Sequence, residues 1–286
     1  MNDDELAALL PPIPRDAHKY TRGSLLVLAG SARFPGAAVL AARAAVRAGA
    51  GYVTLAVPEP AAATARAHLL SIPVLPAPAT EGAFAADAWD ALRSKLNHVD
   101  AIVLGPGLTT VPSAAVFIET VLRGATTWGA NCPVLLDADA LNLLAVPTPS
   151  PSVPAPSPTL VLTPHAGELA RLLNATGAAD VQQLAETLNA IVVAKGPETC
   201  IVSPTQSYCS TAGTPALAKA GTGDVLSGVI GSLLAQGAAP FDAALLGVEL
   251  HGRAGRLAEA RFSQRAVCPE DVIESLPTIL KQLEKR

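Results

Sequence analysis

Short continuous apolar runs alternate along the chain with longer alanine-rich stretches of helical period. Residues 24–30, 52–57, 101–104, 134–136, 160–162 and 191–195 read as strands buried on both faces. Residues 36–48 read as a helix that ends at Gly49. Strands of this kind separated by helices predict a three-layer α/β fold, with a mostly parallel central sheet covered by helices on both faces. The pattern changes after Gly196. Residues 199–203 and 206–210 predict a hairpin around Pro204-Thr205, and three helices, at 222–236, 241–261 and 270–282, close the chain. Prolines at 147, 149, 151, 154, 156 and 158 admit neither helix nor ladder. Apolar strands of one character flank them, so 147–158 is expected to be a surface loop within a single domain covering 1–286.

Glycine and polar residues gather just behind the predicted strands. Gly30-Ser31, Gly105-Pro106-Gly107, Asp137-Ala138-Asp139, Thr163-Pro164-His165 and Lys195-Gly196-Pro197 each follow one directly. In a parallel sheet these points line the carboxyl edge, where ligands bind.

Composition narrows the function classes. Apolar residues make up 50% of the chain and charged residues only 15%. Mean hydropathy is +0.38, yet charges or turn residues break every apolar run before the ~18 residues a membrane span needs. The acidic, proline-broken start MNDDELAALLPPIP lacks the basic and apolar regions of a signal peptide. No membrane association is expected, and a cytoplasmic location is. A net charge of −4 and 3% aromatic residues argue against nucleic acid as a partner. Cys132, Cys200, Cys209 and Cys268 form no CxxC pair and no zinc spacing, so buried free thiols in a reducing compartment are expected.

The segment from Ala220 to Gly228, AGTGDVLSG, carries the most chemistry. Val225, Val229 and Leu233, with Leu226, Ile230 and Leu234 beside them, predict an amphipathic helix docked through one apolar stripe. The N–H groups and dipole of its N-terminus suit an anion. Asp224 places a negative charge at that point, as needed to take a proton from a hydroxyl while a phosphoryl group arrives. Asp in a first helical turn also merely complements the dipole, so the segment by itself leaves both readings open.

Five segments together resemble the stand-alone NAD(P)H-hydrate dehydratases of the ribokinase-like fold. They are Ala29-Gly30-Ser31 with Pro35-Gly36-Ala37, Gly105-Pro106-Gly107-Leu108, Thr163-Pro164-His165-Ala166-Gly167-Glu168, Lys195-Gly196-Pro197-Glu198-Thr199, and 220–228. The resemblance runs from about His18 to Pro277 and includes Leu250-His251-Gly252 and Pro269-Glu270-Asp271-Val272. The glycine-threonine-glycine-aspartate turn is shared by many ribokinase-like kinases, whereas Thr-Pro-His-x-Gly-Glu combined with Pro-Gly-Ala is more specific.

The resemblance implies a repair reaction. The S form of hydrated NADH or NADPH would be phosphorylated on its ring hydroxyl at the expense of ADP, giving AMP. Phosphate would then be eliminated, with Mg²⁺ bridging phosphate oxygens. Position by position, Asp224 would be the base and contact the hydrate together with Ala37, Gly107 and His165. Lys195, Gly196, Pro197, Glu198, Thr199 and Gly221 would hold ADP or AMP. Gly221, Thr222 and Gly223 would form the anion hole for the phosphoryl group. An ordinary ionised carboxylate suffices for Asp224. No residue is fixed as a metal ligand: Asp137 and Asp139 are candidates to assist Mg²⁺, Asp139 is equally placed to cap the next helix, and Asn142 is ambiguous. His251, on an apolar helix face, reads as a core histidine.

The chain departs from the family pattern at Thr214, where Asn is usual, and at Ala166, where Pro is usual. A homo-oligomer, possibly a tetramer, and a separate epimerase are further implications. Two alternatives stay open: a ribokinase-like kinase of a small alcohol such as a vitamin precursor, and a catalytically silent nucleotide-binding protein. Neither ADP against ATP nor NADH hydrate against NADPH hydrate is decided by these residues.

Overall fold

The computed structural model describes residues 1–126, 132–145 and 158–285. A short helix α1 (Asp3–Ala7) precedes β1 (Ser24–Leu28), α2 (Pro35–Arg47), β2 (Tyr52–Pro58), α3 (Glu59–His68) and β3 (Val74–Ala77). A two-stranded ribbon of β4 (Ala79–Thr80) and β5 (Ala83–Phe84) leads to α4 (Ala88–Arg93), β6 (Ala101–Leu104), α5 (Pro112–Ala125), β7 (Val134–Leu136) and α6 (Asp139–Leu144). Next come β8 (Leu160–Leu162), α7 (Ala166–Thr176), α8 (Val181–Leu188), β9 (Ala190–Ala194), β10 (Thr199–Val202) and β11 (Ser207–Ser210). Helices α9 (Thr222–Ala235), α10 (Pro240–Phe262) and α11 (Pro269–Leu283) follow.

Among the described residues nine strands make one sheet in the order β11-β10-β9-β8-β7-β6-β1-β2-β3. Pairings from β3 across to β9 are parallel, and β10 and β11 add an antiparallel edge. The expected three-layer α/β architecture is therefore present. Strand alternation divides the core in two. Leu25 and Val27 of β1 join α2, α3, α9, α10 and α11 on one face, while Leu26 and Leu28 join α4, α5, α6, α7 and α8 on the other. Stacked Phe84 and Phe117 rings, 4.2 Å apart, anchor the second face. Among the described residues no helix is long and apolar enough to cross a membrane. The prolines from 147 to 156 lie outside the described residues.

Two sequence expectations need correction. Helix α9 is not amphipathic: everything from Val225 to Ala235 is buried, including Ser227 and Ser232. Helix α2 covers one side and α10 another. A Cβ on Gly228 would lie 2.1 Å from the Ala41 carbonyl oxygen, so the α2 backbone comes too close for any side chain there. Polar positions on α9 thus mark close packing and, at Ser227, the functional site.

The cysteines are not four buried thiols. Cys200 and Cys209 form a disulfide across β10 and β11, and Cys268 is exposed; only Cys132 is a buried thiol. The two bridged residues are register partners in an antiparallel pair, with Cα atoms 4.1 Å apart, which brings their sulfurs together. The hairpin around Pro204-Thr205 already placed them opposite each other, a signal that a search for CxxC motifs misses. The thiols consequently carry no argument for a reducing compartment.

Candidate active site

The five strand-end segments do converge on the carboxyl edge. The Gly30 amide donates to the Pro106 carbonyl at 2.7 Å, tying the loop after β1 to the loop after β6. The Asp137 amide donates to Leu104 and the Thr163 amide to Leu136, each continuing a ladder past its strand. His165 and Lys195 form a parallel bridge beyond β8 and β9. The N-terminus of α9 meets this row from the side.

Gly221 caps α9 with φ of 96°, a left-handed conformation that suits glycine. A Cβ there would also approach Leu40 and Pro269 to 2.8 Å. The Thr222 hydroxyl donates to the carbonyls of Leu217 and Lys219, at 2.7 and 2.8 Å, so the turn is held from behind by its own side chain. Lys219 in turn donates to the carbonyls of Arg265 and Val267, both at 2.6 Å. No side chain caps α9, which leaves its first amides to whatever occupies the site.

Asp137 lies deep in this site, 1% exposed. Its Oδ1 accepts from the Lys195 ammonium at 2.9 Å and from the Thr163 hydroxyl at 2.8 Å. Its Oδ2 accepts from the Ser227 hydroxyl at 2.7 Å. Burial pulls the Lys195 pKa down, but the charge and hydrogen bond of Asp137, with Glu168 and Asp224 behind, hold it above its usual value. That ammonium sits 3.4 Å from where a Gly223 Cβ would be, beside the anion turn.

Asp224 has none of these partners: it accepts no hydrogen bond from any described residue. Burial, with the charge of Asp137 behind it, pushes its pKa up to about 7 against the opposing pull of Lys195. The expectation of an ordinary carboxylate is therefore corrected, because a buried site with one ammonium and several carboxylates disfavours another negative charge.

His165 is the N-cap of α7. Its Nδ1 accepts from the amides of Gly167 and Glu168, at 3.0 and 3.4 Å, so Nε2 carries the ring proton in the neutral form. Glu168 completes the capping box by accepting from the His165 amide at 2.9 Å. Burial raises the Glu168 pKa, against the His165 amide and Lys195, which lower it. Ala166 occupies the first helical position, where proline fits well, and the cap holds the helix without it.

Gly107 and Ala37 pack together at the other end of the row. Gly107 has φ of 67°, and a Cβ on it would meet the Phe34 carbonyl at 2.8 Å and the Ala37 Cβ at 2.9 Å. On the opposite flank Gly196, Pro197 and Glu198 are exposed, in a turn closed by the Thr199 hydroxyl on the Gly196 carbonyl at 3.2 Å. The structure thus groups Lys195, Thr222, Gly223 and Asp224 closely. Ala37 and Gly107 form one wall, and residues 196–199 form the rim across from it.

Other candidates resolve as follows. Asp139 does not cap α6; its Oδ2 accepts from the Thr109 amide at 2.8 Å and pins the loop after β6. Asn142 accepts from Arg171 at 2.8 and 3.0 Å. Thr214 donates to Glu259 and caps the turn Pro215–Leu217, so it makes its own local contacts. His251 is buried on α10 and its Nε2 has no hydrogen-bond partner among the described residues; burial pushes its pKa down to about 4, against the backbone of Thr222. Sequence reasoning missed Ser227 and Thr163 as partners of Asp137, although both stand inside the motifs quoted for other reasons.

A parallel sheet with an antiparallel flanking hairpin, met at its carboxyl edge by a carboxylate-bearing helix start, defines a ribokinase-like α/β protein. A ribokinase-like superfamily protein from Enterococcus faecalis shares this fold at 24% identity, with a TM-score of 0.81 over 99% of this chain and 95% of that one. Within that class, the chain belongs to the NAD(P)H-hydrate dehydratase family, whose profile matches residues 25–278. An ADP-dependent (S)-NAD(P)H-hydrate dehydratase from Bacillus subtilis is 32% identical over 99% of this chain and 98% of its own. The crystal structure of the ADP/ATP-dependent enzyme from Bacillus subtilis, co-crystallized with ATP and Mg²⁺, superposes with a TM-score of 0.81 at 30% identity, covering 99% of this chain and 97% of that one. A bifunctional NAD(P)H-hydrate repair enzyme from Moorella thermoacetica is 39% identical over 96% of this chain and 52% of its own length. The chain spans about half the length of several curated relatives it matches.

Proposed function

We propose that this chain converts the S form of hydrated NADH or NADPH to NADH or NADPH at the expense of ADP, giving AMP and phosphate. One observation carries the reading: a half-buried carboxylate with no hydrogen-bond donor among the described residues, Asp224, stands in the first turn of an uncapped helix beside a fixed ammonium. A pKa near 7 is where a general base works best at neutral pH. The ring hydroxyl oxygen attacks the β-phosphorus of ADP while its proton passes to Asp224. The bond from that phosphorus to the bridging oxygen breaks, releasing AMP. Phosphate then leaves with the carbon–oxygen bonding pair, helped by the ring nitrogen, and loss of a neighbouring ring proton restores the double bond.

Gly221, Thr222 and Gly223 offer amides to the transferred phosphoryl group, and Lys195 adds a point charge. Residues 195–199 and Gly221 hold the nucleotide, while Ala37, Gly107 and His165 line the hydrate. Among the described residues no three metal-ligating side chains converge. Asp137 is spent on Lys195, Thr163 and Ser227, whereas Asp139 Oδ1 meets, among the described residues, only the Asn142 amide at 3.5 Å. Such a donor set fits Mg²⁺, which rides on nucleotide phosphates and waters with one or two carboxylates; Asp139 is the one with capacity left. When bound, the ion neutralises charge on the phosphate oxygens. One catalytic domain over 1–286, a homo-oligomer, a cytoplasmic setting and an epimerase supplying the S form belong to the same reading, on the strength of the family.

The test is direct. Purified protein is incubated with hydrated NADH, Mg²⁺ and either ADP or ATP, and the absorbance of the reduced ring is followed. Recovery with ADP is expected. No recovery with either nucleotide overturns the reading, and a stable phosphorylated product without recovery points to a kinase of a small alcohol.

A further inference from the structure

Phe34 is an apolar residue in a place that stability alone does not explain. It is the N-cap of α2, where Ser, Thr, Asp or Asn would bond the first amides, and its side chain makes no capping bond. The residue is 44% exposed. Among the described residues the other exposed aromatics are elsewhere: Tyr20 packs against Tyr52 near the amino end of β2, and Phe262 ends α10 beneath Arg261. Phe34 instead borders the proposed hydrate wall, its Cβ 3.0 Å and its carbonyl oxygen 2.8 Å from where a Gly107 Cβ would stand. The backbone there is fixed, since the Phe34 amide donates to the Ser31 hydroxyl at 3.2 Å and the Ala32 amide to the Gly82 carbonyl at 2.8 Å. The Arg33 guanidinium lies over the ring, 5.1 Å from its centroid, and forms no ion pair with a carboxylate among the described residues.

A rigidly held, solvent-facing aromatic surface with a guanidinium on it suits a ligand that carries both a ring and phosphate. We propose that Phe34 and Arg33 are specificity-determining residues for the dinucleotide: the Phe34 ring covers the outer face of the hydrated ring held against Ala37 and Gly107, and Arg33 pairs with the pyrophosphate. The pair acts on the hydrate and not on ADP, whose proposed loop at 195–199 lies on the opposite flank. The inference rests on the dehydratase reading and adds to it the residues that recognise the hydrate.

The experiment compares wild type, Phe34→Ala, Phe34→Tyr and Arg33→Ala. KM values for hydrated NADH and for ADP are measured, with NADH binding followed by its own fluorescence and melting temperature as the check on folding. Phe34→Ala is expected to raise the hydrated NADH KM and weaken NADH binding about tenfold, leaving the ADP KM and the melting temperature unchanged. Phe34→Tyr should restore both, and Arg33→Ala should weaken both about threefold. A Phe34→Ala enzyme with unchanged hydrate KM and NADH binding overturns the inference while wild-type turnover keeps the dehydratase reading. Equal rises in both KM values, or a lowered melting temperature, overturn it in favour of a structural role. A wild type without turnover removes both.

Discussion

A loop and a helix start at the carboxyl edge each hold a carboxylate away from bulk solvent, Asp137 buried and Asp224 half-buried, and they treat it in opposite ways. Behind β7, Asp137 is surrounded by an ammonium and two hydroxyls. At the start of α9, Asp224 has no donor from the described residues and is raised to about 7 by burial and by Asp137 itself. In the proposed reaction the contrast separates scaffold from reagent. A carboxylate that already accepts from three donors is held in place, and it in turn holds Lys195 at the anion turn. A carboxylate left without partners is poorly stabilised as an anion, which makes it a proton acceptor near neutral pH.

The largest expected effect comes from removing the reagent. Asp224→Asn should lower the rate of NADH recovery about 10³-fold while nucleotide binding, measured by calorimetry, persists. The same variant should be more stable than wild type above pH 7. Its raised pKa means that folding disfavours the charge, so the penalty from Asp224 grows as pH rises from the ordinary carboxylate range to about 7 and is constant beyond. Near wild-type turnover would erase the contrast. Breaking the scaffold is next. Lys195→Met strands Asp137 without its cation and should cost about 3 kcal/mol in urea unfolding. A loss under 1 kcal/mol would show that Thr163 and Ser227 suffice. The smallest effect concerns Ala138, which sits between Asp137 and Asp139 at φ 50° and ψ −117°. Ala138→Gly should raise stability by about 1 kcal/mol, since relief of the strained backbone exceeds the entropy cost of glycine. A destabilised variant would mean that the turn is not strained.

Most strand positions and their carboxyl-edge motifs were legible because buried parallel strands read as short apolar runs; the order of strands in the sheet was not read. The 74–77 strand was not, because Pro76 interrupts an edge strand of Val74, Leu75 and Ala77 that is only partly buried. Asp224, Lys195 and the turn at 221–223 were legible through their motifs. Their electrostatics were not, because the Asp224 shift depends on desolvation in the folded site and on Asp137, 87 positions earlier in the chain. The cross-strand disulfide followed from hairpin register and was hidden by reading cysteines one at a time. Phe34 was not singled out by any motif; only its exposure beside Gly107 sets it apart.

The account turns on Asp224 being the base whose ionisation Asp137 controls, and the pH dependence of kcat/KM tests that most directly. In wild type the acid limb should fall near pH 7, with activity lost as pH drops through it. In Asp137→Asn the limb should move to lower pH, because a charge that raises the Asp224 pKa is gone. An acid limb in the ordinary carboxylate range in wild type, or one that Asp137→Asn leaves in place, would contradict it.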